Sequence, residues 1–208
     1  MKVLDLFCGV GGWSKAFAEA GHECTGIDLH NLGYPYKFIK ADLFDWEPEE
    51  HYDIILASPP CAEFSIAKKW AWGTQDERIG LDLVYRTFYL IQKIKPQFWA
   101  LENVRGLAEF LPPPNNILKY NTHKDGKAAY VWTNLGKLGY FPYQINYQSR
   151  KEHKKTINGK KHRFRYGKEI KKKERGKIPY SVSWHLLQAI DFLTIDPQSV
   201  QYHCRRQA

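Results

Sequence analysis

The chain has 208 residues, of which 43% are hydrophobic, and its 31 Lys and Arg outnumber 22 Asp and Glu to give a formal charge of +9. A chain of this length and composition can bury a hydrophobic core. No apolar run in it reaches the roughly 20 residues of a membrane span. The positive charge, with 7 Trp and 13 Tyr, favours a polyanionic partner such as a nucleic acid. A soluble basic protein without such a partner is the alternative.

The four cysteines form neither a C-x-x-C pair nor a cluster with histidine. They are Cys8, Cys24, Cys61 and Cys204. This pattern argues against a zinc site and against a disulfide framework, so we expect no metal ion and a reducing compartment. The N-terminus lacks the pattern of a signal peptide. A soluble, cytoplasmic protein is therefore expected.

The N-terminal stretch predicts a strand, a glycine turn and a helix. Lys2–Leu6 is a short apolar strand, Phe7–Gly12 is the turn, and Trp13–Ala20 has the helical pattern. Glycines let the backbone turn tightly and approach a ligand closely, while a helix N-terminus offers N–H groups. This turn is therefore a candidate ligand site.

Two acidic residues follow the next two predicted strands. Glu23–Ile27 is the second strand, and Asp28 comes about 20 residues after Gly9, the spacing at which an acidic side chain accepts hydrogen bonds from ribose hydroxyls. Lys37–Lys40 is a short third strand followed by Asp42, which could accept a hydrogen bond from an adenine amino group. Either carboxylate could instead be merely solvated.

The fourth predicted strand leads into a stiff turn that carries a cysteine. Tyr52–Leu56 is the apolar run, and Ser58–Cys61 reads Ser-Pro-Pro-Cys. Two consecutive prolines fix φ and remove two backbone donors, so the strand must end there. A thiolate held rigidly at the carboxyl end of a strand would be a strong nucleophile. A buried structural cysteine is the alternative.

A long loop and a helix are predicted next. The loop covers residues 64–80 and contains Trp70 and Trp72. Such a loop is often a lid over an active site, and a helix face that packs both tryptophans is the alternative. Leu81–Ile94 then has helical spacing, and Pro96 ends the helix.

The fifth predicted strand brings a carboxylic acid to the edge where the cysteine lies. Gln97–Leu101 is the strand, and Glu102 and Asn103 follow it. Because the carboxyl ends of parallel strands meet at one sheet edge, Cys61 and Glu102 should be neighbours. A nucleophile beside a carboxylic acid makes a reaction centre. By itself, Glu102 would be read as a surface acid.

The second half of the chain is basic and begins with a break at Leu111–Asn116. We predict a helix over Ala128–Tyr140, a strand over Phe141–Tyr147 and a C-terminal helix over Val182–Leu193. The stretch 153–173 is either a disordered basic tract or a surface that follows phosphates.

Three motifs in this order resemble the cytosine-C5 methyltransferases, which use S-adenosylmethionine. Asp5–Gly12 resembles the family's cofactor loop, Ser58–Cys61 its nucleophile motif, and Leu101–Val104 its Glu-Asn-Val motif. The likeness covers roughly residues 1–107. It implies an α/β fold with the doubly wound, Rossmann-like sheet of class I methyltransferases. The cofactor would lie at the carboxyl ends of the first, second and fourth strands.

The resemblance implies roles for individual residues. The family's cysteine thiolate adds to C6 of cytosine, which would be Cys61, and its glutamate donates a hydrogen bond to N3, which would be Glu102. Asn103 would orient the neighbouring backbone. Amino-methylating relatives place an aromatic residue after their Pro-Pro, so Cys61 favours carbon methylation. The expected S-adenosylmethionine contacts are Phe7, Gly9, Gly11, Gly12, Asp28, Asp42 and Pro59.

The second half departs from the family pattern. Lys161–Arg165 keeps only the arginines of a Gln-x-Arg-x-Arg motif, and Gln148–Arg150 is a rival match. Arg163 and Arg165 would support the base and the catalytic loop. Ile178–Ser181 resembles the family's closing motif, where a helix returns to the cofactor pocket.

A target-recognition domain of the usual size does not fit into the 75 residues between Glu102 and Ile178. A short basic insert or a protein partner would then read the target sequence. The expected organisation is one methyltransferase domain over residues 1–208. Its parts are a cofactor-binding and catalytic core (1–107), a basic insert for nucleic-acid binding (108–177) and the returning helix (178–195).

The implied function is that of a DNA (cytosine-5-)-methyltransferase. It would transfer a methyl group from S-adenosylmethionine to C5 of a cytosine through a covalent adduct with Cys61, after flipping the base out of the duplex. One alternative is C5 methylation of cytosine in RNA such as tRNA. Another is a non-catalytic nucleic-acid-binding partner protein. A free nucleotide fits less well, because many basic residues help only a polymer substrate.

Overall fold

A computed structural model describes residues 1–65, 77–119, 128–136, 155–157, 160–162 and 178–194. Its strands are β1 Lys2–Leu6, β2 Glu23–Asp28, β3 Lys37–Lys40, β4 Ile54–Ala57, β5 Phe98–Asn103, β6 Asn116–Lys119, β7 Ala128–Thr133, β8 Lys155–Ile157 and β9 Lys160–His162. Its helices are α1 Ser14–Glu19, α2 Glu77–Ile94 and α3 Tyr180–Thr194. Short 3-10 turns lie at Ala62–Phe64 and Arg105–Glu109.

Strands β1 to β7 form one sheet in the order β3-β2-β1-β4-β5-β7-β6. Strands β1 to β5 pair in parallel, whereas β7 is antiparallel to both β5 and β6. Strands β8 and β9 form a separate antiparallel pair. The direction of winding reverses between β1 and β4, and open sheets bind ligands at the carboxyl ends of strands beside such a reversal.

The two central strands, β1 and β4, are buried on both faces, as strands of a parallel sheet require. On one face, Val3 and Ile54 pack in a cluster with residues of α1 and α3. On the other face, Leu4 and Ile55 pack in a cluster with residues of α2. Helices therefore cover both sides of the sheet. The predicted α/β class, with a doubly wound Rossmann-like methyltransferase sheet, is confirmed.

The first five strands agree with the predicted ones within two residues at either end. The prediction of a helix over Ala128–Tyr140 is wrong, because Ala128–Thr133 forms β7. The two alanines suggest a helix, but the residues after them are β-branched or aromatic and fit a sheet surface. Pairing of β7 with β5 buries Ala129 and Val131 completely. Strand β6 was also missed, since it begins at Asn116, inside the predicted break.

Several predictions fall outside the described residues. They are the two tryptophans of the predicted 64–80 loop (Trp70 and Trp72), the strand Phe141–Tyr147, most of the basic stretch 153–173, and the residues Arg163 and Arg165. The C-terminal end of that loop prediction is wrong, because α2 begins at Glu77 and not at Leu81. Within the described ranges, no helix is both long and apolar enough to cross a membrane. The same ranges contain no cluster of three or more His, Cys, Asp or Glu side chains arranged to hold a metal ion.

Candidate active site

The turn between β1 and α1 uses left-handed backbone at three positions. The φ angle is +60° at Phe7, +51° at Gly9 and +79° at Gly11. Glycine takes such angles without the clash that a Cβ atom causes. The turn is closed by a hydrogen bond of 2.8 Å from the Gly11 N–H to the Cys8 carbonyl. Gly9 faces open space, since a Cβ atom added there would meet nothing within 4 Å.

Asp28 links the end of β2 to this turn. Its Oδ2 atom accepts a hydrogen bond of 3.1 Å from the Gly9 N–H, and its Oδ1 atom accepts one of 3.2 Å from the His30 N–H. The carboxylate is half-buried at the carboxyl end of the strand. Asp28 therefore holds the glycine turn and remains partly accessible beside it.

Asp42 lies at the end of β3 and is exposed. Its carboxylate accepts a hydrogen bond of 2.9 Å from the Phe44 N–H, and its backbone carbonyl accepts from the Asp45 and Trp46 N–H groups. This side chain thus stabilises its own turn, and one of its oxygens already has a backbone donor.

The C-terminal helix closes on the glycine turn from the far end of the sequence. A Cβ atom at Gly12 would lie 2.7 Å from both the backbone N and O atoms of Ile178, so only glycine fits there. The Ser183 hydroxyl donates a hydrogen bond to the Trp13 carbonyl. Gly12 therefore serves close packing of the backbone. The family resemblance implies a returning helix, but sequence reasoning gave no sign of this particular contact.

The Pro-Pro turn is tied to the neighbouring strand by Asn103. This side chain is fully buried, and its Nδ2 atom donates a hydrogen bond of 3.0 Å to the Pro59 carbonyl. Its Oδ1 atom accepts one of 2.9 Å from the Val104 N–H. Because a buried amide needs both kinds of partner, Asn103 fixes the end of β5 against the turn after β4. The turn then presents Cys61 just before the 3-10 turn Ala62–Phe64.

Phe64 anchors the residues after Cys61. It is 4% exposed and packs beside Leu107 and Trp132. A Cβ atom at Gly106 would lie 2.1 Å from the Phe64 carbonyl oxygen, so the two turns at this edge are in direct backbone contact. The short segment that follows Cys61 is therefore packed on both sides.

The described cysteines differ in their surroundings. Cys8 and Cys24 are buried, and burial raises the pKa of both thiols, to about 12 for Cys24. Buried thiols of this kind are unreactive. Cys61 is half-exposed at the sheet edge. Accessibility therefore singles out Cys61 as the candidate nucleophile among the three.

Glu102 occupies the adjacent strand at the same edge. The registers Leu6↔Ala57 and Ala57↔Leu101 put the last residues of β1 and β4 in line with Leu101, which directly precedes Glu102 in β5. Burial raises the pKa of the Glu102 carboxyl to about 7, while a hydrogen bond from the Ser58 hydroxyl acts in the opposite direction. A carboxyl group with this pKa is substantially protonated at neutral pH and can donate a hydrogen bond.

A hydrogen bond that the sequence does not predict joins the glycine turn after β1 to the Pro-Pro turn after β4. The indole Nε1 atom of Trp13 donates a hydrogen bond of 2.8 Å to the Ser58 hydroxyl oxygen. Trp13 follows the glycine turn directly, whereas Ser58 opens the Pro-Pro turn. Nothing in the sequence pairs positions so far apart.

The family model of C-5 cytosine-specific DNA methylases matches residues 1–119. The chain belongs to this family. A relative named "Probable DNA (cytosine-5)-methyltransferase", from Frog virus 3, is 29% identical over 65% of this chain and 71% of its own length. The type II methyltransferases M.Bsp6I of Bacillus sp. and M.DsaV of Dactylococcopsis salina are 30% and 35% identical, each over 51% of this chain. The chain spans only 37% and 32% of these two bacterial proteins.

Proposed function

We propose that this chain is an S-adenosylmethionine-dependent DNA (cytosine-5-)-methyltransferase that acts through a covalent adduct of Cys61. Family membership supports the reaction class. The observation that carries the residue assignment is the hydrogen bond from Asn103 to the Pro59 carbonyl. It fastens the turn that carries Cys61 to the strand that carries Glu102, so that nucleophile and acid share one edge.

The glycine turn and its neighbours fit S-adenosylmethionine. The open space over Gly9 allows a ligand to approach the backbone closely. Asp28, half-buried beside it, would accept hydrogen bonds from ribose hydroxyls. The remaining proposed contacts are Phe7, Gly11, Gly12, Asp42 and Pro59. When bound, the cofactor supplies an electrophilic methyl group.

The protein's own groups would activate the base. C5 of cytosine is a poor nucleophile, so the Cys61 thiolate adds to C6, and the electron pair of the C5–C6 double bond moves toward C5 and the ring. Protonated Glu102 donates a hydrogen bond to N3 as negative charge develops there. After C5 has gained the methyl group, a base removes its proton and the C6–S bond breaks to release the thiolate. The raised pKa of Glu102, about 7, keeps the donor form available at neutral pH.

DNA is the proposed substrate. The formal charge of +9 favours a polyanion, and a base inside a duplex must be flipped out before C6 can meet a thiol. We propose that the basic segment 108–177 binds the phosphates, that Arg163 and Arg165 support the flipped base, and that this segment or a protein partner reads the target sequence. Because a reactive thiol stays reduced in a reducing compartment, we propose that the reaction takes place in the cytoplasm.

The deciding experiment offers the protein several substrates. It is incubated with S-adenosylmethionine and, separately, duplex DNA, single-stranded DNA, tRNA and dCMP, and each product is digested to nucleosides for mass spectrometry. We expect 5-methyldeoxycytidine from DNA. Product in tRNA alone would establish the RNA alternative, and a methyl group on the exocyclic amine would contradict the role of Cys61. Salt-sensitive binding without transfer to any substrate would indicate a non-catalytic partner protein.

Replacing the nucleophile tests the covalent step. We expect Cys61→Ser to lower the rate of methyl transfer by about 10³-fold or more, because a serine hydroxyl is hardly ionised at neutral pH. Cofactor affinity, measured by calorimetry, should stay unchanged. Cys24→Ser is the matched control, since it makes the same change at a buried thiol near the start of β2, at the opposite end of the strands from Cys61, and its rate is compared per folded molecule. Appreciable turnover by Cys61→Ser would refute the adduct.

A further inference from the structure

We propose that Trp13 and Ser58 are positioning residues for Glu102, and that they act through a chain of hydrogen bonds from the indole through the hydroxyl to the carboxyl group. The inference rests on the proposed function, since it assigns the partners of the proposed acid. It adds to that function a physical link between the cofactor-binding turn and the residue that would contact the base.

The direction of each bond follows from the chemistry of the donors. An indole N–H can only donate, so the Ser58 oxygen accepts at 2.8 Å. Ser58 follows Ala57, which pairs with Leu101, so continuation of this register puts Ser58 beside Glu102. The single proton of the Ser58 hydroxyl is then available to the Glu102 carboxyl, and this hydrogen bond acts to lower the pKa of that group. With the indole in place, the hydroxyl has little freedom to turn elsewhere. The carboxyl group therefore meets a donor that is already oriented.

Both ends of this chain are held firmly. Trp13 is 2% exposed, and its carbonyl accepts a hydrogen bond from Ser183 of the C-terminal helix. The backbone N–H of Ser58 donates a hydrogen bond of 3.3 Å to the Leu6 carbonyl, which extends the pairing of β1 and β4. Glu102 itself lies within β5. A shift of the glycine turn would thus move the hydroxyl that donates to the Glu102 carboxyl.

In the part of the chain that the structure describes, few groups act on the Glu102 carboxyl, so the hydrogen bond from Ser58 should have a large effect on its pKa. The turn after β4 contributes the Ser58 hydroxyl and Cys61, and β7 contributes Val131 opposite Glu102. Burial and the Ser58 hydroxyl are the two causes that act on the pKa of Glu102 within the described residues, and no ionised side chain there adds to them. Removal of the hydroxyl should therefore raise the pKa of Glu102.

The first test needs no enzymatic activity. The protein is labelled with ¹³C at the glutamate carboxyl carbons, and the Glu102 signal is assigned by its loss in Glu102→Gln. We expect Ser58→Ala to raise the pKa of Glu102 by about one unit, the scale of a hydrogen bond to a charged group. Trp13→Phe should raise it by less, because the hydroxyl remains but loses its orienting donor.

The control is another tryptophan. The indole of Trp132 also donates a short hydrogen bond, 2.7 Å to the Pro112 carbonyl, and the residue is 5% exposed. Trp132 pairs with Leu101, whereas Glu102 pairs with Val131, so the Trp132 side chain lies on the other face of the sheet from Glu102. Trp132→Phe removes an equivalent bond on that other face and should leave the Glu102 titration unchanged. An equal shift in Trp132→Phe and Trp13→Phe would show a general loosening of the fold and would overturn the inference for Trp13.

The second test is the pH profile of methyl transfer. Activity that needs protonated Glu102 falls as pH rises through its pKa, so the falling limb in Ser58→Ala should move to higher pH by the shift seen in the titration. The plateau kcat should fall about tenfold, with the KM for S-adenosylmethionine unchanged. Ser58→Thr, which keeps a hydroxyl, should restore both properties.

Failure of the inference is separable from failure of the proposed function. If the wild-type protein methylates DNA but Ser58→Ala keeps the wild-type titration and pH limb, the positioning role is refuted. If the wild-type protein transfers no methyl group to any nucleic acid while the Glu102 titration still moves in Ser58→Ala, the link stands and the assigned reaction is refuted.

Discussion

Asp5 and Glu102 are two carboxyl groups of the same sheet, and burial raises the pKa of each to about 7. Their positions are nevertheless opposite. Asp5 lies inside β1 and is 1% exposed, whereas Glu102 lies at the open carboxyl end of β5 and is only partly buried. A raised pKa therefore does not by itself mark an acid of the reaction centre. Access for a substrate distinguishes Glu102 from Asp5.

Two consecutive residues at the start of α1 connect to the two carboxyl groups, Ser14 directly and Trp13 through Ser58. Ser14 donates a hydrogen bond of 2.6 Å to Asp5 and shares one of 2.6 Å with the Tyr34 hydroxyl. Trp13 reaches Ser58 and, through it, Glu102. The segment Trp13–Ser14 thus binds a carboxyl group of the core through Ser14 and is linked to the proposed acid through Trp13. The two groups can be separated by experiment.

The largest expected difference is in catalysis. Glu102→Gln should lower kcat by about 10³-fold, because an amide cannot supply an acidic proton at N3. Asp5→Asn should lower the rate per folded molecule far less. Steady-state kinetics with saturating S-adenosylmethionine, corrected for the folded fraction, would compare them. Equal losses in the two variants would remove the distinction based on access.

The next difference is in stability against pH. Burial raises the pKa of Asp5 from its ordinary value of 3.8 to about 7, so the folded state binds this proton more tightly than the unfolded state does. The stabilisation from this proton is complete below pH 3.8, and it is lost as pH rises toward 7. In urea titrations of the wild-type protein, the free energy of unfolding should fall by about 1.4 kcal/mol per pH unit for each such group between pH 5 and 7.

Asp5→Asn should remove one such contribution from the slope, and Glu102→Gln should remove the other. The slope is the informative quantity, because the substituted amide need not match the stability of the original side chain at any single pH. Asp5 Oδ1 has no hydrogen-bond partner within the described residues, which is the setting in which an ionised carboxylate is costly. An unchanged slope in Asp5→Asn would show that Asp5 is ionised in the fold throughout this range.

The sequence predicts the parts of this site that depend on local pattern. The strands that end at Asp28, Ala57 and Asn103 are buried runs followed by glycine, proline or polar residues. These signals lie within a few residues of each strand end, so they can be read from the local sequence. Parallel order then brings their ends together without further information. This is why the glycine turn, Cys61 and Glu102 could be placed on one edge before the fold was known.

The parts that were missed depend on contacts between distant segments. The Trp13 to Ser58 bond, and the packing of Gly12 on Ile178, follow from how the elements are stacked. Strand β7 was read as a helix because Ala128 and Ala129 favour one locally, while pairing with β5 decides otherwise. Local propensity is a weak guide wherever tertiary burial pulls in the other direction.

The smallest expected effect extends the comparison to a third carboxyl group, Asp28, which holds the glycine turn and stays partly accessible. Asp28→Ala should weaken S-adenosylmethionine binding about tenfold, the cost of losing a hydrogen bond made by a charged group. Asp42→Ala is the matched control at the next strand end, and should weaken binding less because Asp42 is exposed and engaged with its own turn. Calorimetric titration gives both values directly. Because Asp28 lies away from Cys61 along the edge, kcat at saturating cofactor should change little. A fall in kcat as large as that of Glu102→Gln, with cofactor affinity intact, would mean that the glycine turn serves the base and not the cofactor.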